Sequence, residues 1–264
     1  MNVQALNITI LGSGNMGGAM AKGLIRSGAT TAQHLTVTRN HPETPAELAA
    51  LGITTTQDNA AAVSTADLVL VALKPWAISE VLRSLVKSFR PDATVISLAA
   101  GVTLENLDAD LGRAKTLRIV RAMPNTAVCV KAGVTALASD SEEGLELAKE
   151  LFSAVGLAVV LPEKQFDVMT ALSGCGIAHA LRFLRAGMSA GLEMGIPASL
   201  AGEIFAQVMK GAAELVLHSG NHPEVEVDRV CTPGGLTIRG LNEMERHAFT
   251  SAVIQGLLAS LPKK

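Results

Sequence analysis

Two glycine-bearing segments have the spacing on which chemistry can be built. In the first, Gly12-Ser13-Gly14-Asn15-Met16-Gly17, glycines occupy the first, third and sixth places. It follows the apolar run Ile8-Thr9-Ile10-Leu11 and opens a helical stretch, Met16 to Ile25, that stops at Ser27-Gly28. In that setting Gly12 permits a tight turn, Gly14 lets a pyrophosphate approach the backbone, and Gly17 lets helix and strand pack closely. The helix N-terminus adds unpaired N–H groups and a positive dipole end. The chemistry is dinucleotide binding.

A second strand, Leu35 to Thr38, leads into Arg39-Asn40. The Asp or Glu that usually binds the ribose hydroxyls there is missing. Arg39 can instead pair with a 2′-phosphate through charge-assisted bonds. The expected cofactor is therefore NADPH, with NADH as a second donor. The bland alternative is a solvated arginine at a strand end.

The other segment is Val230-Cys231-Thr232-Pro233-Gly234-Gly235-Leu236-Thr237. Glycines before a helical stretch from Thr237 expose backbone N–H groups that suit a carboxylate. Thr237 adds a hydroxyl. On spacing alone, a simple turn with Thr237 as helix cap reads equally well.

Other chemistries find little support. Cys129, Cys175 and Cys231 fit no metal spacing or disulfide framework, and the six histidines form no HExxH array. No metal is expected. Net charge is −2 with interleaved signs, aromatics make up 3%, and tyrosine is absent, so no nucleic-acid partner is expected. Apolar runs fall short of the roughly 18 to 20 residues of a membrane span. The start, Met1 to Leu6, lacks a basic leader region. These features predict no membrane partner and a cytoplasmic protein with reduced thiols.

Strands and helices alternate around the glycine motif. Leu68 to Leu73 is a continuous apolar run, as in a buried parallel strand. Trp76 to Phe89 is helical in period. Further strands are expected at Thr94 to Ser97, Leu117 to Val120, Val134 to Leu137 and Leu157 to Leu161. This is a parallel, doubly wound pattern. From about Gln165 the strand signals stop. Helices are expected over Phe166 to Met194, with a break near Ser173-Gly174, then Ala198 to Ser219, Thr237 to Glu245 and Ala248 to Leu261. Gly174, Gly176, Ala178, Gly187 and Gly191 would let helix axes approach closely. The fold class is α/β: an N-terminal Rossmann-type doubly wound sheet over residues 1–162, which binds the dinucleotide, and a C-terminal all-helical substrate-binding and dimerisation domain over 163–264.

Taken together, six segments resemble pyrroline-5-carboxylate reductase, the last enzyme of proline biosynthesis. They are Ile10 to Met16, Val71-Ala72-Leu73-Lys74-Pro75, Ser97 to Thr103, Arg121-Ala122-Met123-Pro124-Asn125-Thr126, Leu172 to Gly176, and Val230 to Ile238. The resemblance implies NAD(P)H-dependent reduction of the C=N bond of 1-pyrroline-5-carboxylate to L-proline. It implies a homodimer of interlocking helices, often assembled further. It places Ala72, Leu73, Lys74, Pro75 and Asn125 along the cofactor, with Asn59 joining the glycine motif, Thr38 and Arg39 as expected contacts. Val230, Cys231, Thr232, Gly234, Gly235 and Leu236 would hold the substrate, a cyclic imino acid, and Thr237 would act at the ring nitrogen. The chain departs from family usage at Ala127, Cys175, Ile177, His179, Arg185 and Cys231.

Three rivals remain open on sequence. One is a reductase of another cyclic imino acid in a specialised pathway. Another is a β-hydroxyacid dehydrogenase, although no lysine lies between Lys164 and Lys210 to serve its chemistry. The last is a non-catalytic dinucleotide-binding paralogue.

Overall fold

The computed structural model describes residues 3–112 and 116–262. Its first strands are short and rich in β-branched and apolar residues: β1 (Ile8–Leu11), β2 (Leu35–Thr38), β4 (Leu68–Val71) and β5 (Thr94–Ser97), with β3 (Thr55–Thr56) between β2 and β4 in sequence. All four residues of β1, β4 and β5 are buried, because helices cover both faces of the sheet. Leu68 and Leu70 enter one core with Ile8, Ile10 and Ile96. Val69 and Val71 enter the other with Leu11, Val95 and Leu82. Period-two alternation thus divides one apolar run between two cores.

The helices of this region are α1 (Asn15–Ser27), α2 (Ala46–Ala49), α3 (Asn59–Ser64), α4 (Pro75–Leu85), α5 (Leu104–Leu111) and α6 (Glu142–Ser153). Local chemistry sets their ends. Gly28 closes α1 at φ 73, where a Cβ is disfavoured. Pro75 occupies the first turn of α4. Thr103 and Asn106 form a capping box on α5.

Strands β6 (Arg118–Pro124), β7 (Gly133–Ser139) and β8 (Gly156–Val160) complete an eight-stranded sheet in the order β3-β2-β1-β4-β5-β6-β7-β8. The alternation predicts a parallel sheet throughout, but β6 and β7 pair antiparallel. Their connection is one short 3₁₀ segment, Thr126–Val130, and Lys131 at φ 62. That is too little chain for a crossover, so the strand must turn back.

The chain divides into two compact units between Gly174 and Cys175. The helical stretch from Phe166 to Met194 is interrupted where a break is expected, around Ser173-Gly174. Helix α7 (Phe166–Met169) runs into a π-helical turn, Thr170–Cys175, and α8 (Gly176–Glu193) follows. The second unit continues with α9 (Ala198–Ser219), α10 (Pro223–Val230), α11 (Leu236–Arg246) and α12 (Phe249–Ala259).

Small residues do bring α8 and α9 together. A Cβ on Gly187 would lie 2.4 Å from the Phe205 ring, and one on Gly191 would lie 2.8 Å from the Ala201 Cβ. Phe183 stacks edge-on against Phe205 at 5.5 Å and tilts against Phe249 at 5.6 Å, tying α8 to α9 and α12. Yet Gly191 and Ala201 are the only buried residues described in these five helices. Ile204, Val208 and Leu215 of α9 and Ile254 and Leu258 of α12 are all about half exposed or more. At the corner between α9 and α10, Asn221, Ser219 and Arg229 all donate to Glu226. The Asn221 amide foremost, with Arg229 and Ser219, holds that carboxyl below its usual range against the opposing effect of desolvation.

Candidate active site

Gly12 leaves β1 at φ 100, a conformation that L side chains rarely adopt. A Cβ there would stand 2.8 Å from the Ala72 carbonyl oxygen and 3.1 Å from the Leu73 side chain. A Cβ on Gly17 would fall 1.9 Å from the Gly12 oxygen and 3.1 Å from the Ala72 Cβ. Both glycines are therefore demanded by the protein itself.

Gly14 differs. It is the N-cap of α1 at φ −69 and ψ −169, ordinary extended backbone, and a Cβ on it would meet nothing within 4 Å. No side chain caps this helix and no acid sits in its first turn. The N–H groups of Asn15 and Met16 and the positive helix end thus face open space. This arrangement fits the pyrophosphate of a dinucleotide, which needs an uncovered backbone at that place.

The neighbouring strand ends converge. The Gly12 N–H donates to the Thr38 carbonyl at 3.1 Å, and the Arg39 N–H to the Thr56 carbonyl at 3.0 Å. Thr38 is buried. The Arg39 guanidinium folds back and donates to the Glu43 carbonyl, while its buried Nε has no partner. Asn59 opens α3, behind an Asp58 cap that accepts the Ala61 N–H at 2.9 Å. Lys74 is the N-cap of α4, and Pro75 and Trp76 follow it into solvent, Trp76 at 80% exposure. Gly12, Gly17, Thr38, Arg39, Ala72 and Leu73 are brought to one edge of the sheet, the carboxyl ends of β1, β2 and β4. That is where open α/β sheets bind their ligands.

Asn125 lies at the end of β6. It is 5% exposed, and its carboxamide is largely engaged inside the first unit. A cleft of about 900 Å³ in this unit lies elsewhere. Leu104, Ile119, Ser139, Val160 and Glu163 line it, at the start of β6 and the ends of β7 and β8. It is at the opposite end of the strands from Gly12 and includes none of the expected site residues.

In the second unit, Thr232-Pro233-Gly234-Gly235 forms a tight turn. The Gly235 N–H donates to the Thr232 carbonyl at 2.9 Å, and Gly234 sits at φ 71. Proline second and a positive-φ glycine third are the signature of a type II turn. A Cβ on Gly235 would lie 2.5 Å from the Thr232 Oγ1. The turn occupies the Gly235 N–H, so that group is not available for the expected carboxylate cradle. The donors that remain are the first-turn N–H groups of α11, from Leu236 and Thr237, since no side chain caps this helix. Its N-cap is Gly235, which puts Thr237 two places inside the helix. Among the described residues the Thr237 hydroxyl makes no hydrogen bond. Val230 and Leu236 are exposed and Cys231 half-buried. His179 and Arg185 are exposed on α8. Sequence reasoning gave no role to Ser173, Arg121 or Glu163, whose contacts join residues 42 and 48 apart with no local signal.

No group of three or more His, Cys, Asp or Glu that could hold a metal ion occurs among the described residues, and no described helix is long and apolar enough to cross a membrane. The three cysteines are free.

Residues 163–264 match the family described as pyrroline-5-carboxylate reductase dimerisation. Residues 7–101 match the family described as NADP oxidoreductase, coenzyme F420-dependent. The chain is 38% identical to pyrroline-5-carboxylate reductase 1 of Dictyostelium discoideum over 97% of its own length, spanning 49% of that longer protein. It is 34% identical to pyrroline-5-carboxylate reductase of Escherichia coli, over 97% of this chain and 96% of that one. The crystal structure of Plasmodium falciparum pyrroline carboxylate reductase with NADP bound superposes with a TM-score of 0.85 at 24% identity, covering 98% and 97% of the two chains. That likeness establishes the shared fold.

Proposed function

The chain belongs to the pyrroline-5-carboxylate reductase family, and from that premise we propose that it reduces the C=N bond of 1-pyrroline-5-carboxylate to L-proline, using NADPH with NADH as a second donor. The observation that carries this reading is the pair of uncapped helix N-termini, each behind a glycine turn. The one at α1 is suited to a pyrophosphate, and the one at α11 to a carboxylate with a hydroxyl beside it. The bound nicotinamide supplies the hydride for the imine carbon.

The chain's own residues do the rest. Residues 1–162 hold the cofactor: Gly12, Ser13, Gly14, Asn15, Met16 and Gly17 at the pyrophosphate, Thr38 and Arg39 at the 2′-phosphate, with Asn59, Ala72, Leu73, Lys74 and Pro75 further along it, whereas the carboxamide of Asn125, also expected there, is taken up by Ser173, Ala127 and Val134. Arg39 leaves its Glu43 contact to pair with the phosphate, a stronger partner than a neutral carbonyl. Residues 163–264 hold the imine. The Leu236 and Thr237 N–H groups take its carboxylate, Val230, Cys231, Thr232, Gly234 and Gly235 shape the turn beneath, and the Thr237 hydroxyl orients the ring nitrogen. A protonated cyclic imine is already electrophilic at carbon, so orientation rather than a strong general acid is what the protein must provide.

The bare helices of the second unit bind a second copy of the chain, giving a homodimer or a multiple of one. Three free thiols suit the reducing cytoplasm.

The test is imine-dependent oxidation of NADPH with proline identified as the product. Failure to oxidise NADPH with this imine, in a preparation that binds the cofactor, refutes the reading. One observation favours a second reading, reduction of a substituted cyclic imine: Arg182, Arg185, Ala186 and Ser189 line an open notch of about 450 Å³ on α8. A substituted imine with a higher kcat/KM than the parent would establish it.

A further inference from the structure

The side chain of Asn125 has little left to offer a ligand. Its Oδ1 accepts the Ala127 N–H at 3.2 Å and the Val134 N–H at 3.3 Å, folding the connection from β6 to β7 around it. Its Nδ2 donates to the Ser173 Oγ at 3.1 Å, a buried bond between residues 48 apart. A carboxamide has two donor hydrogens and two acceptor sites, so a single N–H remains.

Ser173 belongs to the π-helical turn Thr170–Cys175, a rare widened turn of a kind concentrated at functional sites. Met123 packs its methyl 3.6 Å from where a Gly174 Cβ would stand. Four residues before Asn125, on the same strand, the buried Arg121 pairs with Glu163 at 2.9 Å and lies 4.5 Å over the Phe166 ring. Glu163 also accepts the Leu104 N–H at 2.7 Å. Segment 163–174 is thus fastened to β6 at both ends, by an ion pair and cation–π contact at its start and by the Asn125–Ser173 bond at its finish. The next residue, Cys175, begins the helical unit.

We propose that Asn125 is a positioning residue acting through Ser173, not a direct ligand of the cofactor. Its carboxamide fixes the π-helical turn from which the chain leaves the first unit, and so serves the alignment that hydride transfer demands. The proposal rests on the reductase reading for its kinetic consequence and on geometry alone for the clasp.

Four variants test it: N125A, S173A, the double variant N125A/S173A, and N125D. Loss of either partner leaves a buried polar group unpaired, and kcat should fall about tenfold in each single variant. NADPH affinity, read by quenching of the only tryptophan, Trp76, should stay within about twofold because neither variant touches the glycine motif. The double variant should be no worse than N125A, since the one bond that S173A removes is already absent there. N125D keeps both acceptor bonds, and the Ser173 hydroxyl can turn to donate to the new carboxylate. It should therefore recover most of kcat when Ser173 is present and none of it in S173A.

Wild-type kcat in S173A together with weakened NADPH binding in N125A would overturn the proposal, as would multiplicative losses in the double variant. Hydrogen exchange over residues 166–176 gives a readout independent of the substrate. N125A and S173A should speed exchange of the same amides, and N125D should slow them again. A wild-type enzyme inactive on the imine sinks the reductase reading alone, and the clasp then stands or falls by that exchange pattern.

Discussion

Gly14 and Gly17 stand three residues apart on one turn of α1, yet replacing them should have opposite effects on stability. In Gly14→Ser the new Cβ meets no protein atom, and the backbone already has the extended angles of a capped N-terminus. Serine caps a helix better than glycine by roughly 0.3 kcal/mol. For a chain of this size that raises the melting temperature by about 1 °C. The same hydroxyl and Cβ fill the open space, and the hydroxyl takes an N–H at the helix start that a pyrophosphate requires. Affinity for NADPH should drop at least ~100-fold, or about 2.7 kcal/mol.

Gly17→Ala instead drives a methyl to 1.9 Å from the Gly12 oxygen, so helix and strand must separate. Overpacking of this kind costs roughly 1–3 kcal/mol, only partly offset by the better helix propensity of alanine, about 1 kcal/mol. The melting temperature should fall by several degrees, on the order of 2–4 °C per kcal/mol. Thermal melting with and without NADPH, together with Trp76 quenching, measures both quantities on one preparation. Wild-type NADPH affinity in Gly14→Ser, or a melting temperature well below wild type, would refute the argument that this glycine serves a ligand rather than the fold.

Arg39→Ala should depress kcat/KM with NADPH far more than with NADH; equal losses would show that Arg39 does not read the 2′-phosphate. Thr237→Ala should lower kcat/KM about tenfold or more through the lost hydroxyl, with NADPH affinity unchanged, whereas Thr237→Ser keeps much of the activity. Because Gly235 and not Thr237 caps α11, neither variant should shift the melting temperature by more than about 1 °C. A wild-type rate in the alanine variant would move the imine elsewhere. The lowered pKa of Glu226 means that its contribution to stability is complete above the ordinary glutamate range and is lost as pH falls through the lowered folded-state value. Denaturant midpoints of Glu226→Gln should therefore show a flatter acid limb than wild type, and an unchanged limb would rule the carboxylate out as its source.

What the sequence made legible follows from how local each signal is. β4 is a continuous apolar run, β1 and β5 are short runs broken only by Thr9 and by Thr94 and Ser97, and the glycine motif is confined to one turn. β3 is two threonines long, too short for any period. α10 is mostly polar, with no apolar repeat to find, although Pro223 in its first turn and the capping His222 are start signals that could have located it. The reversal at β7 lay in the shortness of its connection, which was hidden because β6 runs on to Pro124, four residues past the strand expected to end at Val120. The occupied Gly235 N–H was open to inference from Pro233-Gly234, a pair that favours a type II turn. The Asn125–Ser173 and Arg121–Glu163 contacts were not, since distance along the chain hides them.

The scarcity of buried side chains in α8 to α12 bears on the order in which the molecule is made. The first unit carries three apolar clusters of its own and can collapse as a unimolecular event. The helical unit emerges after the first during synthesis with little interior to collapse upon, so its settling should be second order in protomer. Refolding followed by far-ultraviolet signal should then resolve into an early phase indifferent to protein concentration and a later one that quickens with it. Between the two phases, the greasy flanks of α9 and α12 are open to any neighbour, making yield on dilution a contest between pairing and precipitation.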